Sequence, residues 1–175
     1  MVRDASQDST DLTKCLAWLR RHGQGHGQGH GQRLDVLALG GLGGRVDQAM
    51  SQIHHLYLAG AGGDLVVRGA MYLVSEQSVS FVLARGVNVV ALDGATFARH
   101  VGILPVAAPA VISTRGLQWD VRDWRTEFGG QVSTSNRWRD GTVEVRTDEP
   151  VLFTVELARH LTLEGGEVGN GQVGG

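Results

Sequence analysis

The chain has 175 residues, 42% of them hydrophobic, and a formal net charge of -2, which is enough apolar material for one globular domain or two small ones packed together. Its charges are interspersed, so composition excludes both a basic field for nucleic acid and a polybasic tract for a membrane surface. A single cysteine, a start without an apolar signal core, and apolar runs well below the roughly 20 residues of a membrane span indicate a cytoplasmic protein.

The first predicted element is a helix over residues 8–21. Ser9 or Thr10 can cap it, Asp11 lies in its first turn, and apolar residues recur at helical spacing at Leu12, Cys15, Leu16 and Leu19. This pattern places Cys15 on the apolar side, as an inert core thiol.

A glycine-histidine segment follows at residues 22–32. Its alternating glycines remove helix propensity and predict a flexible insert. Its histidines lie four residues apart, which would put them on one face only of a helix. We therefore favour a solvated loop over a metal site for His22, His26 and His30.

A strand, a glycine-rich turn and a helix are predicted next. The apolar run 34–39 leads into the glycines of residues 40–44, and a helical pattern continues through Tyr57. The unit ends near residues 60–63, and residues 65–67 are a candidate for the next strand of the same α/β layer.

From about residue 70 the chain consists of short β-prone runs separated by turn signals such as Asp93-Gly94 and Asp140-Gly141. This spacing indicates a β-sandwich or barrel without a helical layer. The predicted fold class is therefore α/β followed by all-β, with an α/β part at 1–68, a β-sandwich at 69–163 and a disordered glycine-rich tail at 164–175. The expected strands are 71–74, 80–83, 87–92, 101–106, 110–114, 131–134, 142–147 and 151–155.

Charged side chains gather at the start of the first helix, where Asp8 and Asp11 are followed by Lys14 one turn later. Two carboxylates there could hold Mg²⁺ together with phosphate oxygens and water, and the lysine could contact phosphate. Acids at a helix start also serve as caps and dipole partners, and spacing alone favours that interpretation.

The glycine-rich turn leads from a strand into a helix whose first amides would face an anion. Arg45 could neutralise phosphate, and Asp47 could hold a cation or a substrate hydroxyl. The pattern is neither a dinucleotide fingerprint nor a P-loop, and a tight structural turn explains it equally well.

A run of small hydroxyl residues, from Ser133 to Ser135, ends on Asn136 and then Trp138. Such a run can hydrogen-bond a polar heterocycle and stack on it, although a strand entering a hairpin loop with an exposed tryptophan is the simpler interpretation. Trp119 and Trp124 are interpreted as packing residues of the β layer.

Taken in order, several motifs resemble eukaryotic thiamine pyrophosphokinases. They are Ser-Gln-Asp-Ser-Thr-Asp at 6–11, Leu-Gly-Gly-Leu-Gly-Gly-Arg-Val-Asp-Gln at 39–48, Gly-Ile-Leu-Pro-Val at 102–106, Thr-Arg-Gly-Leu-Gln-Trp at 114–119, Phe-Gly-Gly-Gln-Val-Ser-Thr-Ser-Asn at 128–136 and Val-Glu-Val-Arg-Thr-Asp-Glu-Pro at 143–150. The resemblance implies a nucleotide-binding α/β domain and a thiamine-binding β-sandwich, in a homodimer that transfers pyrophosphate from ATP to thiamine and releases AMP.

The resemblance also implies roles for individual residues. Asp8 and Asp11 would be metal ligands for Mg²⁺, and Arg45 and Asp47 would be catalytic. The ATP and phosphate site would comprise Gln7, Asp8, Asp11, Lys14, Gly41 and Arg45. The thiamine site would comprise Asp47, Gln48, Ser133, Ser135, Asn136 and Trp138.

One family motif, Gly-Asp-x-Asp-Ser, is not found in this sequence. The family places it ahead of the first motif present here and uses it for Mg²⁺ and phosphate ligands. We therefore expect a piece of a longer enzyme, with little activity of its own. The alternative is a truncated, non-catalytic protein that binds thiamine or a nucleotide or serves in dimerisation.

Overall fold

The computed structural model describes residues 8–22, 35–60 and 69–161. It begins with α1 (Asp11–His22), β1 (Val36–Leu39) and α2 (Val46–Gly60). The next strands are β2 (Met71–Val74), β3 (Ser78–Leu83), β4 (Gly86–Ala91), β5 (Phe97–Leu104) and β6 (Ala110–Arg115). The last are β7 (Trp124–Thr126), β8 (Ser133–Arg137), β9 (Thr142–Thr147) and β10 (Val151–Leu157), before a 3-10 turn at Arg159–Leu161. The insert beyond His22, the strand expected at 65–67 and the tail lie outside the described residues.

Helix α1 confirms the predicted amphipathic helix, but it begins at Asp11. Thr10 caps it, because the backbone N–H of Thr13 donates to the Thr10 Oγ1 at 3.2 Å. Leu16 is buried in the core, whereas Cys15 is exposed. The expectation of a core thiol at Cys15 is therefore wrong: one residue is about 100° of helix rotation, which carries the thiol off the buried stripe.

A buried histidine joins the two helices. His55 is 3% exposed, its Nε2 lies 2.7 Å from the Thr13 Oγ1, and its Nδ1 lies 2.6 Å from the Ser51 carbonyl oxygen. A carbonyl only accepts, so Nδ1 carries the proton. Both ring nitrogens are thus satisfied, and the start of α1 is held against the middle of α2.

Six strands form one sheet in the order β1-β2-β3-β10-β5-β8. The pair β1 and β2 is parallel, in register from Val36 opposite Met71 to Leu39 opposite Val74, and the other pairs are antiparallel. Strand β2 lies beyond residue 68, so hydrogen bonding runs across the boundary expected there. The division into two domains stays a prediction.

Strands β4-β9-β6-β7 form a second, antiparallel sheet that packs against the first. Their shared core contains Ile103 and Phe153 from the larger sheet and Ile112, Val143 and Val145 from the smaller one. The β-rich second half is confirmed, although several strand bounds differ from prediction, and β5 begins at Phe97 and ends at Leu104 where 101–106 was expected. Strand β7 was not predicted, and β8 begins at Ser133 because residues 127–131 form a turn closed by the Glu127 N–H donating to the Gln131 carbonyl.

The helices cover only part of the face of the larger sheet that points away from the smaller sheet. Along β10, Val151, Phe153 and Val155 enter the core between the sheets, whereas Leu152 packs with the helices and with Leu73. Since side chains alternate along a strand, Thr154 and Glu156 continue the helix-facing side. This side becomes polar where the helical cover ends. None of the described helices is long and apolar enough to cross a membrane.

Candidate functional site

The glycine-rich turn forms one wall of a cavity of about 470 Å³, opposite the β2–β3 turn at residues 75–78. Gly40, Leu42 and Gly44 have φ angles of 78°, 71° and 76°, so left-handed residues alternate along the loop. This alternation can turn successive backbone N–H groups toward one concavity, and α2 begins directly after it. The predicted order of strand, turn and helix is confirmed, and anion binding by the loop stays a prediction.

Gly41 lies where this loop approaches α2 and β2. A Cβ added there would lie 2.6 Å from the Gln52 Oε1 of α2 and 3.4 Å from the Leu73 Cβ of β2. The nearer atom is the end of the flexible Gln52 side chain, which can move, and 3.4 Å is an ordinary van der Waals contact, so the loop lies close to the helix and the sheet at this position. Gly41 lines the cavity, as its predicted phosphate-binding role requires.

Arg45 and Asp47 pair with each other at the start of α2. The guanidinium donates from Nε to the Asp47 Oδ1 at 3.0 Å and from Nη2 to Oδ2 at 2.5 Å. Arg45 holds the pKa of the Asp47 carboxyl below its usual value, and backbone N–H groups add to this. Both side chains are exposed, as is Gln48 beside them. A phosphate would therefore have to compete with Asp47 for Arg45.

The acidic start of α1 is exposed. Asp11 lies 3.8 Å from Lys14, which is the distance of a weak surface pair, and Asp8 is also exposed. Within residues 8–22, 35–60 and 69–161, no three His, Cys, Asp or Glu side chains are placed to hold a metal ion. The described residues thus do not assemble a metal centre around Asp8 and Asp11, and Gln7 lies outside them.

A second cavity, of about 360 Å³, lies on the polar part of the larger sheet. Its walls include Thr134 and Ser135 of β8, and His100 and Glu156 of the neighbouring strands. Between the pairs Val101–Asn136 and Ile103–Ser133, β8 has one residue more than β5, and Ser135 has a φ of 55°. This β-bulge explains how consecutive residues, Thr134 and Ser135, both line the cavity.

Asn136 and Trp138, predicted to line the thiamine site, are buried at 5% exposure each. The Asn136 amide donates to the Trp119 carbonyl at 2.9 Å and accepts from the N–H groups of Trp119 and Arg137. The Trp138 indole donates to the Ala98 carbonyl at 2.7 Å. In this structure their polar groups are satisfied by backbone, and their assignment as ligand contacts stays a prediction.

Trp119 and Trp124 differ in how deeply they are buried. Trp124 is partly buried against the core between the sheets, as predicted, whereas Trp119 is 56% exposed and the expectation that it packs is wrong. Asn136 satisfies both backbone groups of Trp119, which holds the residue at the surface. Ser133 lies beside Ile103 and is not among the residues lining the second cavity.

The two cavities are neighbours, because Gln77 and Ser78 line both. The turn that carries them is braced by Ser75, whose Oγ accepts from the N–H groups of Gln77 and Ser78 at 3.2 and 3.0 Å. Sequence reasoning placed Thr134 in the hydroxyl run without assigning it to the site, and it missed this turn, His100 and Glu156. Charged residues within the apolar strands β5 and β10 were the signal that could have found the last two.

Comparison with known proteins agrees with this arrangement. Residues 1–64 match the family model described as the catalytic domain of thiamin pyrophosphokinase, and residues 76–152 match the model of its vitamin B1 binding domain. The chain belongs to the thiamine pyrophosphokinase family. The two matches lie on either side of β2, and the two cavities meet at the turn that follows this strand.

Relatives within the family confirm the resemblance. The chain is 32% identical to thiamine pyrophosphokinase 3 of Oryza sativa over 158 residues, which are 88% of this chain and 55% of that protein. It is 31% identical to the enzyme of Saccharomyces cerevisiae over 71% of this chain and 40% of the enzyme. The chain therefore spans about half the length of these curated thiamine pyrophosphokinases.

Solved structures show the same fold. The thiamin pyrophosphokinase of Candida albicans superimposes with a TM-score of 0.79 at 22% identity, over 90% of this chain and 64% of that one. The yeast enzyme superimposes with a TM-score of 0.76 at 23% identity, over 90% and 62%.

Proposed function

We propose that this protein takes part in thiamine pyrophosphokinase chemistry, the transfer of pyrophosphate from ATP to the hydroxyl of thiamine. The hydroxyl oxygen forms a bond to the β-phosphorus, the bond from that phosphorus to the bridging α–β oxygen breaks, and the hydroxyl proton is released. The products are thiamine diphosphate and AMP. ATP and thiamine are the substrates that membership of the family favours.

The adjoining cavities are the observation that carries this proposal. One is walled by the glycine-rich loop ahead of α2 and the other by residues that include Thr134 and Ser135, and both are lined by Gln77 and Ser78. Transfer between two bound substrates needs their reacting ends side by side, since most of the rate gain comes from positioning. Two neighbouring sites of different chemistry provide such a placement.

On the phosphate side, the loop amides and Arg45 would stabilise the charge that develops on the transferring group. Arg45 would exchange its pair with Asp47 for phosphate oxygens, to which a guanidinium can also donate bidentately. Asp47, once released, and Gln48 would lie next to the loop and could contact the thiamine hydroxyl.

On the thiamine side, Ser135 and Thr134 supply hydroxyls on the bulge of β8. We propose the two packed sheets as a thiamine-binding β-sandwich and residues before β2 as part of a nucleotide-binding α/β domain. Asn136 and Trp138 would support this site by holding the backbone to which they are hydrogen-bonded. Mg²⁺, with Asp8 and Asp11 as its ligands and Lys14 at the phosphates, stays a prediction from the resemblance, and no step above depends on it.

The homodimer and the cytoplasmic location are also part of the proposal. Strand β4 lies at the edge of the smaller sheet, and its Val87 and Val89 are 63% and 66% exposed. An apolar edge strand needs cover, and a second copy would supply it. Light scattering at micromolar concentration should give twice the mass of the chain, whereas a stable monomer would argue against the dimer.

The activity is tested by a coupled AMP assay with ATP and thiamine, run beside calorimetric titration of each substrate. We expect both substrates to bind, and Arg45→Ala to weaken ATP binding at least tenfold, since charge-assisted hydrogen bonds are lost. Arg146→Ala, an exposed change on β9, is the matched control. Absence of binding to either substrate would refute the proposal.

The AMP assay, read beside these titrations, separates catalysis from the non-catalytic alternative. The chain covers about half of its relatives' length, and Leu37 and Leu39 of the parallel strand β1 are 62% and 78% exposed, although parallel sheets are usually covered on both faces. Binding with little turnover by this chain alone stays a prediction. Full turnover would show that the described residues suffice for the reaction.

A further inference from the structure

A histidine and a carboxylate form a pair in the second cavity that the proposed reaction does not use. His100 Nδ1 lies 2.6 Å from the Glu156 Oε2, across the neighbouring strands β5 and β10. The two side chains are 47% and 42% exposed. They are the only titratable groups among the described residues that line this cavity.

The chemistry of the pair fixes which atoms remain for a ligand. An ionised carboxylate only accepts, so Nδ1 of His100 donates and holds Glu156 in one orientation. The described residues give the second carboxylate oxygen, Oε1, no hydrogen-bond partner. The pair thus offers an oriented carboxylate acceptor to a ligand that brings an N–H group.

The floor of the cavity suits a flat ring. Gly102 and Leu104 lie along β5 between the polar walls, whereas the side chain of Val101, which precedes them, packs in the core between the sheets. A Cβ at Gly102 would lie 2.9 Å from the Thr154 Cγ2, so the floor has no side chain at this point. The hydroxyls of Thr134 and Ser135 form the opposite wall, which gives an apolar surface with polar groups at its edges, as in sites for polar heterocycles.

We propose that Glu156 recognises an aminopyrimidine ring by accepting a hydrogen bond from its exocyclic amine, and that His100 is the positioning residue for this carboxylate. The inference rests on the proposed function, because both substrates carry this group: thiamine in its pyrimidine and ATP in its adenine. A carbonyl in place of the amine would face the carboxylate with a second acceptor, so the pair would reject it.

The experiment measures this discrimination on the full chain. Calorimetry gives the Kd of thiamine and of its 4-oxo analogue, and of ATP and inosine triphosphate, in which the amine is likewise a carbonyl. For the substrate that occupies the cavity, we expect wild type to prefer the amino form by about tenfold or more, as for hydrogen bonds to charged groups. Glu156→Gln, whose amide can donate or accept, should reduce this ratio to about twofold or less.

Two further variants separate recognition from stability. His100→Asn keeps the Glu156 charge but shortens its partner, and it should reduce the same ratio in part. Glu144→Gln, the same chemical change on an exposed position of β9, should leave all four Kd values unchanged. A merely structural pair would change the affinity for amino and oxo ligands equally.

The outcomes distinguish the two proposals. A ratio that falls for thiamine alone places thiamine in the cavity, and one that falls for ATP alone places adenine there. If wild type binds its substrates and Glu156→Gln keeps both ratios, the inference is overturned and the proposed function stands. If wild type binds neither substrate, the proposed function fails and this inference fails with it.

Discussion

Asn136 offers a sharp test, because the sequence and the structure give it different roles. Its side chain is buried and makes three hydrogen bonds to backbone, at 2.9 and 3.2 Å with Trp119 and 2.8 Å with the Arg137 N–H. We expect Asn136→Ala to destabilise the fold while leaving the intrinsic affinity for thiamine largely unchanged.

The magnitude follows from these contacts. Each hydrogen bond contributes about 1 kcal/mol, and partners left buried cost more, so the loss should be about 2–4 kcal/mol in free energy of unfolding. For a chain of this length, 1 kcal/mol shifts Tm by roughly 2–4 °C, which predicts a fall of about 5–15 °C. Exposed Trp119 can regain some hydrogen bonds from water, which favours the lower half of this range.

Thermal unfolding followed by near-ultraviolet circular dichroism measures the loss, and calorimetry well below the variant's Tm measures thiamine binding. Asn136→Asp is the comparison, since it keeps the acceptor and loses the donor to the Trp119 carbonyl. Its Tm should also be lower than that of wild type. An unchanged Tm together with a tenfold weaker Kd for thiamine would refute the reasoning and return Asn136 to the ligand site.

Two other predictions concern the helices. His55→Ala should lower the free energy of unfolding in urea by about 2–4 kcal/mol, because it leaves a cavity and removes the link from Thr13 to Ser51. Thr13→Val should lower it by less. Equal stability of wild type and His55→Ala would contradict this. Because Arg45 lowers the folded pKa of Asp47 below its ordinary 3.8, the stabilisation from this exposed pair is present above about pH 4 and lost as the pH falls through the folded value. Carboxyl NMR titration should show the pKa of Asp47 rising in Arg45→Gln, and an unmoved pKa would exclude the pair in solution.

Features set by local sequence were predictable. The capped start and apolar spacing of α1, the strand and glycine turn before α2, and most strands of the β-rich half depend on propensities and periodicities that neighbouring residues fix. The glycine-rich turn was likewise predictable, because glycines between a strand and a helix permit left-handed residues there. The family followed from several such motifs in one order.

Tertiary structure alone decided which side chains meet at the second cavity. His100 and Glu156 are 56 residues apart, and only the register of β5 against β10 brings them within 2.6 Å. The bulge at Ser135 shifts the alternation of β8, so that Thr134 and Ser135 line the cavity while Asn136 and Trp138 are buried. A periodic sequence pattern states that faces alternate, but the pairing of strands distant in sequence determines where the alternation breaks and what each face contacts.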